Sequence, residues 1–133
     1  MSDLRLQRVR FSKEADNWLR VLKSRTGITP NVLCRIGLCM SLEEAGAPPP
    51  GRHLEDSARE INRFTLLGEH DALFVALLRQ RCDNDAEQFV GTLDDAFRAH
   101  VHRGVLLLAS RLRHLTDLAD GINRIRSVGS QRE

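Results

Sequence analysis

The chain has 133 residues, 41% of them apolar and 29% charged, with a formal net charge of +2. This is the composition of one globular domain with a core, not of a disordered or fibrous chain. The longest apolar stretches, such as Val105–Ala109, fall far short of the roughly 20 residues of a membrane helix. No apolar h-region stands near the N-terminus, and the three cysteines are an odd number in helix-like segments, so a cytoplasmic protein with reduced thiols and no membrane partner is expected.

Leu4–Phe11 alternates with period two: Val9 and Phe11 share one face, and Leu6, Arg8 and Arg10 the other. This predicts a short strand or extended arm that needs a pairing partner. Ser12 is placed to cap the helix that follows, in which Ala15, Trp18, Leu19 and Leu22 form a buried stripe and Gly27 the left-handed stop. Thr29–Pro30 starts a second helix, a hydroxyl cap followed by proline at the first helical position. Its stripe is read as Val32, Leu33, Ile36, Gly37 and Met40, with Gly37 allowing close approach of another backbone.

The run Ala45–Gly51 with three prolines is a break. Ile61–Leu67 is read as either a second short strand or the approach to a helix. Asp71–Arg81 is a helix with Leu73, Phe74, Leu77 and Leu78 inward, and Asp83–Asp85 a polar break. Ala86–Phe97 reads as a further helix interrupted near Gly91–Thr92. A long helix follows from about Arg98 to Asp120, apolar almost all round at Val105–Leu108, with Gly121 as its stop. The fold class expected is mainly α: a compact helical domain over 1–125 with a short N-terminal strand, ribbon-helix-helix-related, and a flexible tail over 126–133.

The small net charge hides a strong asymmetry. Residues 1–26 carry seven basic against three acidic side chains, and residues 98–133 again seven against three, whereas 27–97 carry six against twelve. Two cationic ends around an anionic middle suit a polyanionic partner better than the average charge suggests. Eighteen of the twenty cations are Arg, which pairs with phosphate through two parallel donors.

Catalytic and metal motifs are weak. His100 and His102 on one helix point roughly 200° apart, Cys34 and Cys39 match no zinc spacing, and no phosphate loop or nucleophile elbow is present. No metal, cofactor or catalytic residue is therefore expected. Cys34 follows a core position, so packing accounts for it, and Glu43–Glu44 and Asp94–Asp95 are read as solvated faces or caps. A basic strand followed by two helices across a glycine turn is the order of ribbon-helix-helix proteins, in which strands of two subunits pair in the major groove. The first turn of the second helix, near Thr29 and Asn31, offers N–H groups to a phosphate. Double-stranded DNA is the expected partner, with Arg5, Arg8, Arg10, Lys13, Arg20, Lys23, Arg25, Thr29, Asn31 and Arg35 as contact residues. The alternatives are a protein-protein scaffold docking through the acidic middle, a weak DNA nickase, and a repressor of palindromic operators.

Three blocks carry a resemblance. Arg25–Ile36 runs into Leu42-Glu43-Glu44; Asn62–Glu69 is followed by Asp71–Phe74; Phe97–His100 is followed by Arg103-Gly104-Val105. In order and spacing they resemble the signature of the DndE family, over about residues 11–118. The resemblance implies an accessory part in the machinery that replaces a non-bridging oxygen of the DNA backbone with sulfur. Its implied partners are a cysteine desulfurase, an ATP-using sulfur-transfer protein and an SMC-like ATPase. It also implies a homo-oligomer, tetramer or dimer, and binding of nicked duplex. The family's lysine-rich surface is replaced here by arginine.

Overall fold

The computed structural model describes residues 4–49, 56–86, 89 and 91–131, with side chains described as far as Arg113. The chain runs β1 (Arg8–Ser12), α1 (Lys13–Thr26), α2 (Pro30–Glu43), β2 (Asp56–Asn62), α3 (Arg63–Leu67), a 3-10 turn (Gly68–His70), α4 (Asp71–Asn84) and α5 (Leu93–Gln131). It is mainly helical, as expected. Among the described residues no helix is long and apolar enough to cross a membrane.

The period-two reading of the N-terminus holds: Val9 and Phe11 are buried while Arg8 and Arg10 face solvent. Its partner differs from the expectation of a ribbon shared between subunits. β1 pairs antiparallel with β2 of the same chain, Arg8 opposite Asn62, Val9 opposite Ile61 and Arg10 opposite Glu60, with a register shift before Ser12 meets Asp56. Of the two readings of Ile61–Leu67, the approach to a helix holds: β2 ends at Asn62, whose side chain accepts from the Phe64 N–H and starts α3. The arm before β1 is tied down by Asp94, which accepts from the N–H groups of Arg5 (2.9 Å) and Leu6 (3.0 Å). Arg63 donates to the carbonyls of Leu4 and Leu6.

Local signals place α1 and the start of α2. The Ser12 hydroxyl accepts from the Ala15 N–H at 3.1 Å, and Gly27 closes the helix at φ 74°, its N–H reaching the Lys23 carbonyl. Ala15, Leu19 and Leu22 are buried and Trp18 is half-buried. On α2 the stripe is rotated from the one expected. Leu33, Cys34, Gly37, Leu38 and Ser41 are buried, Val32 and Met40 are half-buried, and Ile36 is 40% exposed. The cause is where α5 crosses. A Cβ on Gly37 would stand 2.7 Å from the Gly104 backbone, and one on Gly104 would stand 2.8 Å from the Leu38 nitrogen. The two helices meet backbone to backbone, and the residues around that contact become the stripe. One turn away, Ser41 Oγ hydrogen-bonds with His100 Nδ1 at 2.8 Å in the buried interior.

On α4, Phe74, Leu78 and Cys82 are buried, but Leu73 and Leu77, expected inward, are 56% and 45% exposed. The expected helix over 86–97 is corrected in part: the interruption expected near Gly91–Thr92 is where α5 begins, Ala86 and Phe89 are not helical, and residues 87, 88 and 90 lie outside the described residues. The cap is Thr92, whose hydroxyl accepts from the Asp95 N–H while the Asp95 carboxylate accepts from the Thr92 N–H, a reciprocal capping box. From Leu93 the helix is continuous through Phe97 and Arg98, and it passes Gly121 without stopping. One interior glycine lowers helix propensity by only about 1 kcal/mol, which does not end a helix. Val105 and Leu108 are buried, while Leu106 and Leu107 are half-buried. The side chains of the expected tail, 126–133, lie outside the described residues.

Gly104→Ala should lower stability by about 2 kcal/mol in urea unfolding. Overpacking costs about 1–3 kcal/mol and here outweighs the propensity gain of about 1 kcal/mol; an unchanged midpoint would show that the crossing can open. His100 gives a pH signature. Burial, helped by the charges of Arg103 and Arg81 and opposed by Asp85, pushes its pKa down to about 4 from the ordinary 6.5. The native state therefore requires neutral imidazole, and the unfolded chain takes up the proton first as pH falls through 6.5. Stability should drop between pH 6.5 and about 4 by at most about 3 kcal/mol, and His100→Gln should flatten that part of the melting-temperature profile.

Candidate nucleic-acid interface

The expected contact residues fall on three surfaces. The first is the outer face of the β1–β2 sheet. Arg8 and Arg10 project from it with side chains 70% and 65% exposed, and the antiparallel register sets acids beside them. Arg8 Nη1 lies 3.7 Å from Glu60, Arg10 Nε 3.9 Å from Glu60, and Arg10 Nη1 4.0 Å from Asp56. Asp56 also accepts from Arg98 of α5. A strand that reads as cationic in sequence thus meets nearly matched charge once paired. Arg5 is exposed, and its backbone is held at Asp94.

The second surface is α1. Lys13 and Arg20 are exposed and, seven residues apart, lie roughly two turns along one face. Arg20 donates to Asp16 at 3.2 Å, and Arg59 of β2 donates to the other oxygen of the same buried carboxylate at 2.5 Å. Burial alone would raise the Asp16 pKa. The hydrogen bond and charge of Arg59, with Arg20 and the Ser57 hydroxyl, outweigh it and hold the carboxyl below its ordinary range. Arg20 is therefore partly engaged in keeping a buried anion ionised, and the same anion locks β2 to α1.

The third surface is the end of the molecule where α1 gives way to α2. Lys23 and Arg25 are exposed in the last turn of α1. Four residue steps from Thr26 to Pro30 span at most about 14 Å, so both stay close to the start of α2. That start carries no acidic residue and no side-chain cap. The Thr29 hydroxyl instead donates to Asn31 Oδ1, and the Asn31 amide reaches the Thr65 carbonyl at 3.4 Å. The α2–α5 contact is antiparallel, Ser41 against His100 and Gly37 against Gly104, an order that carries α5 from Gly104 toward the end at which α2 starts. Arg111 follows Gly104 by roughly two turns in that direction and is exposed. Lys23, Arg25 and Arg111 make no ion pair among the described residues. Cations at a helix N-terminus have the electrostatically unfavourable sign, which leaves this end suited to an anion.

Arg35 is directed inward. Its Nε donates to the Leu66 carbonyl at 2.6 Å and its Nη2 to the Thr65 carbonyl at 3.0 Å, fastening α2 to α3. Gly68, at φ +65°, leaves room for that guanidinium. Arg81 and Arg103 play a similar part that sequence reasoning missed. Arg81 donates to the carbonyls of Leu42 and Gly46, and Arg103 to those of Ser41 and Gly46 and to Ser41 Oγ. Together they satisfy carbonyls at the C-terminus of α2 and just beyond it. No local signal separates such arginines from solvated ones.

The remaining polar groups assemble no reaction centre among the described residues. Burial pushes the Cys34 thiol up to about 12, against a smaller opposing effect of Arg59, and raises those of Cys39 and Cys82 as well, so none is a thiolate at neutral pH. His100 turns to Ser41 and His102 to Ser12 (3.1 Å), in keeping with their spacing. No group of three or more His, Cys, Asp or Glu that could hold a metal occurs among the described residues.

The fold and these surfaces define a small helical domain built on a strand-helix-turn-helix core, closed by a long C-terminal helix and cationic at one end. A family model described as DNA sulphur modification protein DndE matches residues 8–116, and the chain belongs to that family. It is similar to the crystal structure of DndE from Escherichia coli B7A, involved in DNA phosphorothioation modification. The TM-score is 0.61 and the identity 27%, over 77% of this chain and 96% of that one. It is also similar to the crystal structure of a DndE G21/24K mutant, with TM-score 0.57 and 25% identity, over 79% of this chain and 98% of that one. No curated protein matches. The chain is thus an accessory protein of the DNA phosphorothioation machinery, with the other Dnd proteins as its partners.

Proposed function

We propose that this protein serves that machinery by binding the backbone of double-stranded DNA, nicked or intact. The observation that carries the reading is the uncapped, acid-free start of α2, preceded by the exposed Lys23 and Arg25 in the last turn of α1, with the exposed Arg111 on the part of α5 that runs toward the same end. No carboxylate is paired to these three cations among the described residues. Thr29 and Asn31 lie at the same start. Lys13 and Arg20 extend cationic surface along α1, and Arg5 adds to it before β1; Arg8 and Arg10 stand on the sheet beside Glu60 and Asp56. Phosphate contacts position without reading sequence, and a nick makes a duplex easier to bend onto a curved surface. Assembly into a dimer or tetramer would set several such ends side by side.

Binding should be indifferent to sequence and should fall steeply with salt, log K declining by about 0.9 per phosphate neutralised. Lys23→Glu with Arg111→Glu should weaken binding to intact and nicked duplex by tenfold or more, an order-of-magnitude expectation for charge reversal at phosphate contacts, and leave the melting temperature nearly unchanged. Equal affinity of native and reversed proteins in an anisotropy titration would remove this end from the reading.

A second reading, a docking scaffold, is favoured by one further observation. The exposed large hydrophobics of the described surface, Ile36, Phe64, Leu73 and Leu77, lie on the adjoining elements α2, α3 and α4. A groove of about 320 Å³ along α4 is lined by Leu4, Ala72, Val75 and Ala76 together with the charged Arg63, Asp71 and Arg79. Clustered exposed apolar residues mark protein contacts. Leu73→Glu with Leu77→Glu should abolish co-purification with the other Dnd proteins from nuclease-treated extract while sparing DNA affinity. Intact co-purification would count against this docking face.

A further inference from the structure

We propose that Arg8, Arg10 and Arg98 form a phosphodiester site that Asp56 and Glu60 hold in a masked state, the two carboxylates standing where backbone phosphates bind. This rests on the DNA-backbone reading above and adds a residue, Arg98, that lies 88 positions from Arg10 in sequence. Three cations from β1 and α5 converge on two anions of β2. Asp56 presents one oxygen to Arg10 and the other to Arg98. A phosphodiester, which also bears one negative charge on two terminal oxygens, can bridge the same two guanidiniums. Glu60 spans Arg8 and Arg10 in the same manner.

The pairs made by Arg8 and Arg10 have the character of replaceable contacts, while Arg98 is hydrogen-bonded to Asp56. The acids are more than a third exposed, Arg8 and Arg10 about two-thirds, and their distances to the acids are 3.7–4.0 Å. Ion pairs of this kind are weak and screened by salt. Arginine–phosphate pairs are charge-assisted, often bidentate, and gain from released counterions. Asp56 and Glu60 point away from the core, and the inner face of β2 is carried by Ser57, Arg59 and Ile61; among the described residues the partners of the two acids are Arg8, Arg10 and Arg98. The masking acids therefore set the affinity of the sheet face. It engages DNA weakly at physiological salt, and more strongly when a duplex is already held at the cationic end.

The test is a fluorescence-anisotropy titration of labelled duplex at about 0.1 M salt with full-length protein, alongside melting temperatures. Glu60→Gln should tighten binding roughly threefold, and Asp56→Asn with Glu60→Gln roughly tenfold, with a salt slope steeper by about one for each phosphate gained. Adding Arg10→Gln and Arg98→Gln to the neutralised protein should erase the gain. If the cross-strand pairs only stabilise the sheet, the same variants melt lower and bind DNA no more tightly. That result, in a native protein that binds duplex, overturns the masking inference and leaves the DNA reading standing. Should Asp56→Asn disturb the fold through Arg98, Glu60→Gln alone decides, since it touches only exposed partners. Absence of binding by both native and neutralised protein at low salt overturns the DNA reading and this inference together. Binding by the neutralised protein alone upholds the mask.

Discussion

Gly37 and Gly104 meet where α2 crosses α5, each standing where the other has no room for a side chain. Close-packed interiors tolerate little volume change at such a point, so this contact sets the separation and register of the two helices. Much of the molecule follows from it. It rotates the buried stripe of α2 toward Cys34 and Leu38, brings Ser41 onto His100, and lets Arg103 reach the carbonyls of Ser41 and Gly46. Carried toward the other end, the same antiparallel order runs the exposed Arg111 toward the end at which α2 starts.

The arginines divide by what their donors meet. Arg35, Arg63, Arg81 and Arg103 reach inward to carbonyls of loops and helix ends; they replace backbone partners that irregular segments lack. Arg20 and Arg59 neutralise one buried carboxylate, which would be costly if left alone. Lys23, Arg25 and Arg111 remain directed to water. A net charge of +2 thus understates the cationic end, because much of the remaining positive charge is matched inside the fold.

Pairing β1 with β2 of the same chain has two consequences. It satisfies the strand without a second subunit, and it places the acidic residues of the middle segment against the basic residues of the first. The charge asymmetry seen along the sequence is in this way partly cancelled at the sheet and preserved at the α1–α2 end. The same elements thus present a balanced face and an unbalanced one, and only the latter carries the main argument for an anionic partner.

Elements with local causes were legible in the sequence: the alternation of β1, the Ser12 cap, the Gly27 stop, the Thr29–Pro30 start, the close approach at Gly37 and the family signature. The strand, caps and stops depend on residues within a few positions of one another, where hydrogen bonds and backbone preferences act without outside help; at Gly37 the sequence showed only that a backbone could approach, and the fold supplied Gly104. Tertiary structure decided what depends on distant partners. Leu73 and Leu77 face solvent although their spacing suits burial, because neighbouring elements cover only the Phe74–Leu78–Cys82 side of α4. The helical start expected at Ala86 moved to the Thr92 cap, and the choice between strand and helix over Ile61–Leu67 was made at Asn62, which ends β2 and caps α3. Whether an arginine faces water, a carbonyl or a carboxylate was not readable at all. Its side chain is long and its partner comes from elsewhere in the chain, as Arg98 and Asp56 show, so only the packing of α5 against the sheet determines it.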